Sequence, residues 1–191
     1  MKSESDSLDP VTRAATLVRL FCAPDAFGEV RSVVPGQVPE PARALLDHRS
    51  HMTVAMERFH GCDVRLRVVA QTDGGREQEP NEGWYAREIL LETPAGEIVQ
   101  HGIVRIDLAQ LDGSTARMIR EGRRPLGRIL IEAGMLRDVH GVKLLEVLPG
   151  SHLRELLRLE DHAAPLYGRV AEIELDGRPA VELLEIVVPA A

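Results

Sequence analysis

A β-hairpin is encoded around residue 176. Two strand-length apolar segments, 167–175 and 180–188, flank the dipeptide Asp176-Gly177. Asp-Gly is typical of two-residue hairpin turns, because both turn positions need a positive φ that few other residues accept. A turn this short joins only neighbouring antiparallel strands. The chain is therefore predicted to build an antiparallel sheet.

Other segments extend this sheet and add helices. A second hairpin is predicted at 84–107, turning at 93–96, and the alternating pattern at 64–68 predicts a half-buried strand. Asp9-Pro10 is typical of a helix N-cap followed by a first-turn proline. The remaining predicted elements are a strand at 141–148 and helices at 10–23, 41–60, 115–133 with a break at 122–125, and 152–160 with Ser151 as N-cap.

The order of these elements predicts the fold class. Most strands are joined by links of hairpin length, and the helices lie between them. This order predicts an α+β fold: a single domain with an antiparallel sheet of about six strands. Residues 1–9 are predicted to be a flexible tail and residues 10–191 the domain, while 23–40, rich in proline and glycine, are predicted to be an irregular connection.

Composition argues against several partners. The 30 acidic residues exceed the 23 basic ones, giving a net charge of −7, whereas nucleic acid requires a basic surface. No apolar run approaches the ~20 residues that cross a bilayer, and the first nine residues lack the apolar core of a secretion signal. We therefore expect a cytoplasmic monomer or homodimer with no nucleic-acid or membrane partner, and Cys22 and Cys62 as ordinary buried thiols.

Two lone charges lie inside apolar runs. Arg87 precedes the apolar residues 89–91, and Glu185 lies between 183–184 and 186–188. A buried charge is costly unless it is paired or meets a ligand, so the two predict either an ion pair across neighbouring strands or a site for a small anion. In such a site, Arg87 would grip a carboxylate with two parallel hydrogen bonds, and the apolar neighbours of Glu185 favour a protonated acid.

Other side chains have both a structural and a functional interpretation. Several arginines are predicted to lie at the solvated surface, although one of them could also bind a small anionic ligand. His48 and His51 have helical metal-ligand spacing, but no third ligand is suitably placed, so a capping or solvent-facing role is favoured and no metal is predicted. Met56, one turn after Met52, is predicted to be core. The arginines are Arg65, Arg67, Arg123, Arg124, Arg128 and Arg169.

An ordered set of short motifs, from about residue 45 to Pro189, resembles the chorismate lyase family, including its 4-hydroxybenzoate synthase branch. Each motif is short, and it is their order and spacing that make the set specific. One departure is the segment 47–51, which is longer and more polar than in the better-known branch. The motifs are Leu45-Leu46, His51-Met52-Thr53, Arg87-Glu88-Ile89-Leu90-Leu91, Pro125-Leu126-Gly127-Arg128, Leu166-Tyr167-Gly168-Arg169, Gly177-Arg178-Pro179 and Glu185.

The resemblance implies helical flaps that close over a buried ligand. It also implies cleavage of chorismate, the small-molecule partner, to 4-hydroxybenzoate and pyruvate without a metal or organic cofactor. By motif position, Arg87 would hold the ring carboxylate and Glu185 would face the 4-oxygen of the ring, both as catalytic residues. Met52, Leu126 and Gly127 would bind the substrate in the apolar pocket.

Two other functions fit the same fold, because a fold does not determine function. An effector-sensing domain of a transcription regulator would bind a small carboxylate without converting it. Such regulators carry a basic DNA-binding domain ahead of the sensor, where this chain has a short acidic segment. A related enzyme would act on a different small aromatic or cyclic carboxylate. All three functions require a buried pocket for a small anion.

Overall fold

A computed structural model describes residues 9–73, 83–135, 139–160, 164–175 and 177–188. The strands are β1 (Gly28–Val33), β2 (Arg65–Thr72), β3 (Trp84–Glu92), β4 (Ile98–Asp107), β5 (Val139–Pro149), β6 (Leu166–Leu175) and β7 (Arg178–Val187). The helices are α1 (Pro10–Val18), α2 (Pro24–Phe27), α3 (Ala42–Leu46), α4 (Met52–His60), α5 (Gly113–Arg120), α6 (Leu126–Glu132) and α7 (Ser151–Leu157), with 3-10 turns at Pro35–Gln37 and Leu108–Gln110.

The described strands form one antiparallel sheet in the order β1-β5-β6-β7-β4-β3-β2. This confirms the α+β class and the antiparallel sheet, with seven strands instead of about six. The additional strand is β1, inside the segment 23–40 that was predicted to be irregular. Its residues are partly polar, and they become a strand by pairing with β5 from Gly28↔Pro149 to Val33↔Leu144. Local propensity gives no sign of a pairing made at such a distance along the chain.

Several predicted boundaries are corrected. The helix predicted at 41–60 is two helices, α3 and α4, separated by residues 47–51. The first helix ends at Val18, and Pro24 begins α2. Gly150, not Ser151, is the N-cap of α7, and Ser151 is its first helical residue.

Other local predictions hold. The Asp9 side chain accepts hydrogen bonds from the backbone N–H groups of Val11 and Thr12, as an N-cap does. β6 and β7 pair from Tyr167↔Val187 to Leu175↔Arg178, which confirms the hairpin, although Asp176 lies outside the described residues. The predicted tail, except for Asp9, also lies outside the described residues. None of the described helices is long and apolar enough to cross a membrane, and both cysteines are free and half-buried.

Strand alternation gives the sheet two different faces. The front face, which carries Arg87, Ile89 and Leu91 of β3, packs under α3 to α6. The back face, which carries Glu88 and Leu90, packs under α1, α2 and α7. Aliphatic side chains dominate both cores, as an aromatic content of 3% requires. The sheet therefore has buried layers on both sides, and polar groups on either face need partners.

Glu88 is a buried carboxylate on the back face. Its Oε1 accepts hydrogen bonds from the Nε2 atoms of His101 on β4 and His152 on α7, each at 2.8 Å. Burial by itself would raise the pKa of Glu88, but the two histidine contacts outweigh burial and hold the pKa below its usual value. A depressed pKa stabilises the fold above the unfolded-state value, and this contribution is lost as the pH falls through the folded-state value.

Replacing Glu88 by glutamine should lower the free energy of unfolding by about 2–4 kcal/mol at pH 7, because a buried charged hydrogen-bond acceptor is removed. The deficit relative to wild type should shrink as the pH falls below about 4.5, the ordinary glutamate value. Chemical denaturation between pH 7 and pH 4 measures both effects. Glu92→Gln, which removes the half-exposed pair with Arg67, is the control and should cost less than about 1 kcal/mol. A Glu88→Gln deficit that does not change with pH would contradict the argument.

Candidate active site

A cavity lies on the front face of the sheet beneath two helical flaps. The first flap is residues 42–60, comprising α3 and α4, and the second flap is residues 113–132, comprising α5 and α6. The cavity, counted together with the open solvent at its mouth, has a volume of about 460 Å³. The flaps contribute three residues each to its lining, and the floor is mostly aliphatic. The flap residues are His51, Met52, Thr53, Pro125, Leu126 and Gly127, and the polar floor residues are Gln100, Arg169 and Glu185.

Most of the predicted site residues meet at this cavity. Met52, Leu126, Gly127 and Glu185 line it, although they come from three distant segments of the chain. Met56, predicted to be core, is fully buried in the cluster beneath the first flap. Arg87 lies on the same face of the sheet but is not part of the lining.

A glycine of β4 lies beside Glu185 on the front face of the sheet. Gly102 on β4 pairs in register with Glu185 on one side and with Ile89 on the other. A Cβ atom at Gly102 would lie 3.2 Å from Cγ1 of Ile89, so even alanine would crowd the floor there. Sequence analysis missed Gly102, because a glycine within a strand indicates a close approach only when its neighbours are known.

Glu185 is a paired carboxylate. Its Oε2 accepts a hydrogen bond of 2.7 Å from Nε of Arg169, its register partner on β6. Both residues are buried. The acid predicted from the apolar neighbours of Glu185 stays a prediction, and the structure adds a guanidinium in contact with its carboxyl group. The predicted ion pair between Arg87 and Glu185 is wrong, since β4 lies between their strands.

Arg169 also holds the first flap. Its Nη1 donates to the backbone carbonyls of His48 at 2.7 Å and Leu46 at 3.3 Å, and its Nη2 donates to that of Ser50 at 3.2 Å. Segment 47–51 thus curls around one guanidinium, which satisfies carbonyls that would otherwise be left without partners at the helix break. This position, considered in the sequence only as a candidate for a second carboxylate, couples the first flap to Glu185.

Arg87 holds the second flap in a similar way. Its Nη1 donates to the carbonyl of Ile119 at 3.2 Å, and its Nη2 donates to that of Arg124 at 3.4 Å. The side chain is 1% exposed, and its Nε has no hydrogen-bond partner among the described residues. Burial lowers the pKa of the Arg87 guanidinium, while nearby Tyr85 acts in the opposite direction. Arg87 thus retains a buried N–H donor that a ligand could use.

The two flaps touch each other over the cavity. A Cβ atom at Gly127 would lie 3.4 Å from Cβ of His51 and 3.5 Å from Oγ1 of Thr53, so any side chain larger than alanine would push the flaps apart. Nη2 of Arg128 lies 2.5 Å from Oε1 of Glu57, which joins α6 to α4. This ion pair is partly exposed and contributes little stability by itself.

The remaining arginines mostly follow the structural interpretation. Arg67 pairs with Glu92 at the surface, and Arg124 pairs with Glu132. With Arg128 engaged by Glu57, the described geometry brings none of these three guanidiniums into the cavity lining. Arg65 is exposed at the sheet edge.

The two histidines of the first flap do not take the predicted roles. His51 occupies the N-cap position of α4 without a side-chain capping bond, and it lines the cavity. His48 is half-buried; its Nδ1 accepts a hydrogen bond from the backbone N–H of Ser50. Burial and the neighbouring Arg169 charge lower the pKa of His48. Within the described ranges, no group of three or more His, Cys, Asp or Glu side chains is arranged to hold a metal ion.

Arg169→Lys should loosen the first flap selectively. A lysine keeps a positive charge near Glu185, but its ammonium cannot reproduce the planar fork that reaches three carbonyls. Amide hydrogen exchange at residues 47–56 should therefore accelerate about tenfold or more. Arg105→Lys, at a buried arginine that lies over Trp84 on the back face, is the matched control and should leave this segment unchanged. Unaltered exchange in Arg169→Lys would mean that the flap is held by its apolar contacts alone.

Comparison with known proteins identifies both a sequence relative and structural neighbours. No protein-family model matches the chain. A probable chorismate pyruvate-lyase from Halorhodospira halophila (strain DSM 244 / SL1) is 33% identical over 110 residues, which cover 53% of this chain and 57% of the relative. The match thus spans less than two thirds of the length of that curated relative.

Two solved structures resemble about three quarters of the chain. PhnF from Mycobacterium smegmatis superposes with a TM-score of 0.55 at 16% identity, covering 73% of this chain and 64% of that one. The effector domain of PhnF gives the same TM-score and identity, covering 74% of this chain and 96% of that domain. At such low identity the likeness concerns the fold alone. The chain thus shares its fold with the PhnF effector domain, and its similarity to a probable chorismate pyruvate-lyase confirms the resemblance to the chorismate lyase family that its motifs indicate.

Proposed function

We propose that this chain converts chorismate to 4-hydroxybenzoate and pyruvate. The observation that carries the proposal is the meeting of separate motifs at one cavity. Met52, Leu126, Arg169 and Glu185 come from four of the motifs, and all of them line the same enclosed space. The name of the relative with 33% identity supports the same reaction.

The reaction depends mainly on the orientation of the substrate and on proton transfer. A proton leaves C4 of the chorismate ring, the bond between C3 and the ether oxygen breaks, and the ring becomes aromatic 4-hydroxybenzoate. The departing enolpyruvate takes up a proton at its methylene carbon and becomes pyruvate. Because aromatisation drives the reaction downhill, the protein mainly has to hold a reactive geometry and manage the protons.

Glu185 is proposed to face the 4-oxygen of the ring. Its Oε2 is engaged by Arg169, and its Oε1 has no hydrogen-bond partner in the described part of the chain. The Oε1 atom is thus available for a hydrogen bond with the 4-hydroxyl and for exchange of a proton with the substrate. Pairing with Arg169 through Oε2 leaves Oε1 as the oxygen that would face the ring.

Arg87 is proposed to hold the ring carboxylate. The free Nε–H and an Nη2–H, whose bond to the Arg124 carbonyl is long at 3.4 Å, form the edge of a guanidinium that binds a carboxylate with two parallel hydrogen bonds. Engaging this edge requires the second flap to move, because carbonyls of that flap are bound to the same guanidinium. Met52 and Leu126 then close the apolar part of the pocket.

A second candidate function is effector sensing without turnover. It is favoured by the shared fold with the PhnF effector domain and by the attachment of both flaps to buried arginines, an arrangement in which ligand binding would move the flaps. Turnover of a different small ring carboxylate is the third candidate. Product formation from chorismate separates the first candidate from the other two.

Purified protein incubated with chorismate should produce pyruvate and 4-hydroxybenzoate in equal amounts, above a protein-free blank, in the presence of a chelator. Glu185→Gln should retain the fold but reduce turnover by about 100-fold or more, because an amide neither accepts a proton nor pairs with Arg169 as a carboxylate does. Chromatography of the aromatic product and a coupled pyruvate assay provide the measurement.

Glu146→Gln is the matched control for this assay. Glu146 is another buried glutamate of the sheet, paired with Arg31, and it does not line the cavity, so turnover should remain near that of wild type. Near-normal turnover by Glu185→Gln would remove Glu185 from the mechanism. Tight binding of 4-hydroxybenzoate with no turnover by wild type would favour the sensing domain.

Arg87→Ala should weaken 4-hydroxybenzoate binding by about 2–4 kcal/mol, since a charge-assisted double hydrogen bond is lost. Arg87→Lys should restore only part of the affinity, because an ammonium cannot form the fork. Titration calorimetry measures the affinity, and circular dichroism checks that each variant is folded. Arg105→Ala serves as a buried-arginine control away from the cavity. A folded Arg87→Ala protein with wild-type affinity would refute the assignment.

A further inference from the structure

We propose that Gln100 is a ligand-binding residue that determines which ring substituents the cavity accepts. The inference deepens the proposed function and rests on it, because it takes the ligand to be a ring carboxylate. Gln100 lies on β4 and lines the cavity, with only 2% of its surface exposed. Its amide oxygen Oε1 is buried and has no hydrogen-bond partner among the described residues.

The amide oxygen of Gln100 differs from the other polar groups in the cavity floor because it has no hydrogen-bond partner among the described residues. The other two polar floor residues, Arg169 and Glu185, bind each other, and the neighbouring floor positions Ile89 and Leu91 are aliphatic. A buried acceptor without a donor destabilises the protein, whereas an aliphatic side chain of the same size would not. A ligand that supplies the missing donor accounts for the presence of a glutamine.

The amide is directed to the same end of the cavity as Glu185. A Cβ atom at Gly102 would lie 3.6 Å from Nε2 of Gln100, so the side chain of Gln100 extends over the glycine that pairs in register with Glu185. Nε2 of the amide therefore lies close to the β4 position that pairs with Glu185, and both side chains line the cavity. A ligand that places one oxygen at Glu185 places the adjacent ring substituent at Gln100.

This geometry defines the chemical class of ligand. Glu185 takes one ring hydroxyl, and Gln100 takes a hydroxyl or amino group on the adjacent ring carbon, because its unpaired Oε1 needs a hydrogen-bond donor. The preferred ligand is a six-membered ring carboxylate with two adjacent polar substituents, the second of which donates a hydrogen bond. The ether oxygen of chorismate can only accept from Nε2 of Gln100, so a ring with a free hydroxyl or amino group at this position satisfies the amide more fully.

Titration calorimetry with three benzoates tests the inference. The probes are 3,4-dihydroxybenzoate, 4-hydroxybenzoate and 4-hydroxy-3-methylbenzoate, which differ only at the position proposed to meet Gln100. Gln100→Leu removes the amide and keeps a similar volume. It should weaken binding of 3,4-dihydroxybenzoate about five- to tenfold and leave the other two within about twofold. Leu183→Met, a cavity residue with similar volume, is the control and should change all three affinities together.

A melting experiment without ligand provides a second readout. If the amide serves only the ligand, Gln100→Leu should raise the melting temperature of the ligand-free protein by a few degrees, because a buried unpaired acceptor has been removed. A lower melting temperature would assign the amide to the fold and overturn the inference. The inference would also be overturned if Gln100→Leu weakened binding of all three benzoates equally, or weakened none of them. Either result would leave the proposed function standing. If wild type binds none of the three and does not convert chorismate, the proposed function fails and the inference fails with it.

Discussion

The guanidinium of Arg169 connects the floor of the cavity to its cover. A fully buried positive charge needs both a counter-charge and partners for its remaining N–H groups. Glu185 supplies the charge at 2.7 Å, and the carbonyls of Leu46, His48 and Ser50 supply the acceptors. The loop between α3 and α4 thereby acquires a defined position over the sheet, although it contains no regular hydrogen bonding of its own. The orientation of Glu185 and the closure of the first flap depend on the same interaction.

The second flap is held by Arg87 in the same way, through hydrogen bonds from a buried guanidinium to backbone carbonyls, with one difference. Arg169 is neutralised by a carboxylate, whereas Arg87 meets the carbonyls of Ile119 and Arg124 and the side chain of Tyr85, and its Nε–H is buried without a partner among the described residues. An incoming carboxylate would therefore improve the environment of Arg87 much more than that of Arg169. Under the proposed function, this difference decides which arginine takes the ring carboxylate and makes ligand binding and flap movement parts of one event.

Buried polar groups occur on both faces of the sheet. On the back face, the carboxylate of Glu88 is satisfied by two histidines and serves the fold, while Nδ1 of His101 is buried without a partner among the described residues. On the front face, Nε of Arg87 and Oε1 of Gln100 are also buried without such partners. An unpaired buried polar group costs stability, and of these three residues Gln100 lines the cavity, where a ligand can supply the missing donor.

Local chemistry in the sequence was sufficient for the hairpins and the Asp9 cap, because turn and cap preferences act over a few residues. It indicated helical structure in the flaps but not the break at 47–51. The lone charges at Arg87 and Glu185 were also visible, since burial of a charge can be inferred from its apolar neighbours. The sequence did not reveal strand β1 or the partner of Glu185, because both are set by register between strands that are distant along the chain. Gln100 and Gly102 look like ordinary strand residues until β3, β4 and β7 are aligned. A cavity is a property of several strands and two flaps together, so only the tertiary structure decided which polar groups face it and which of them lack a partner there.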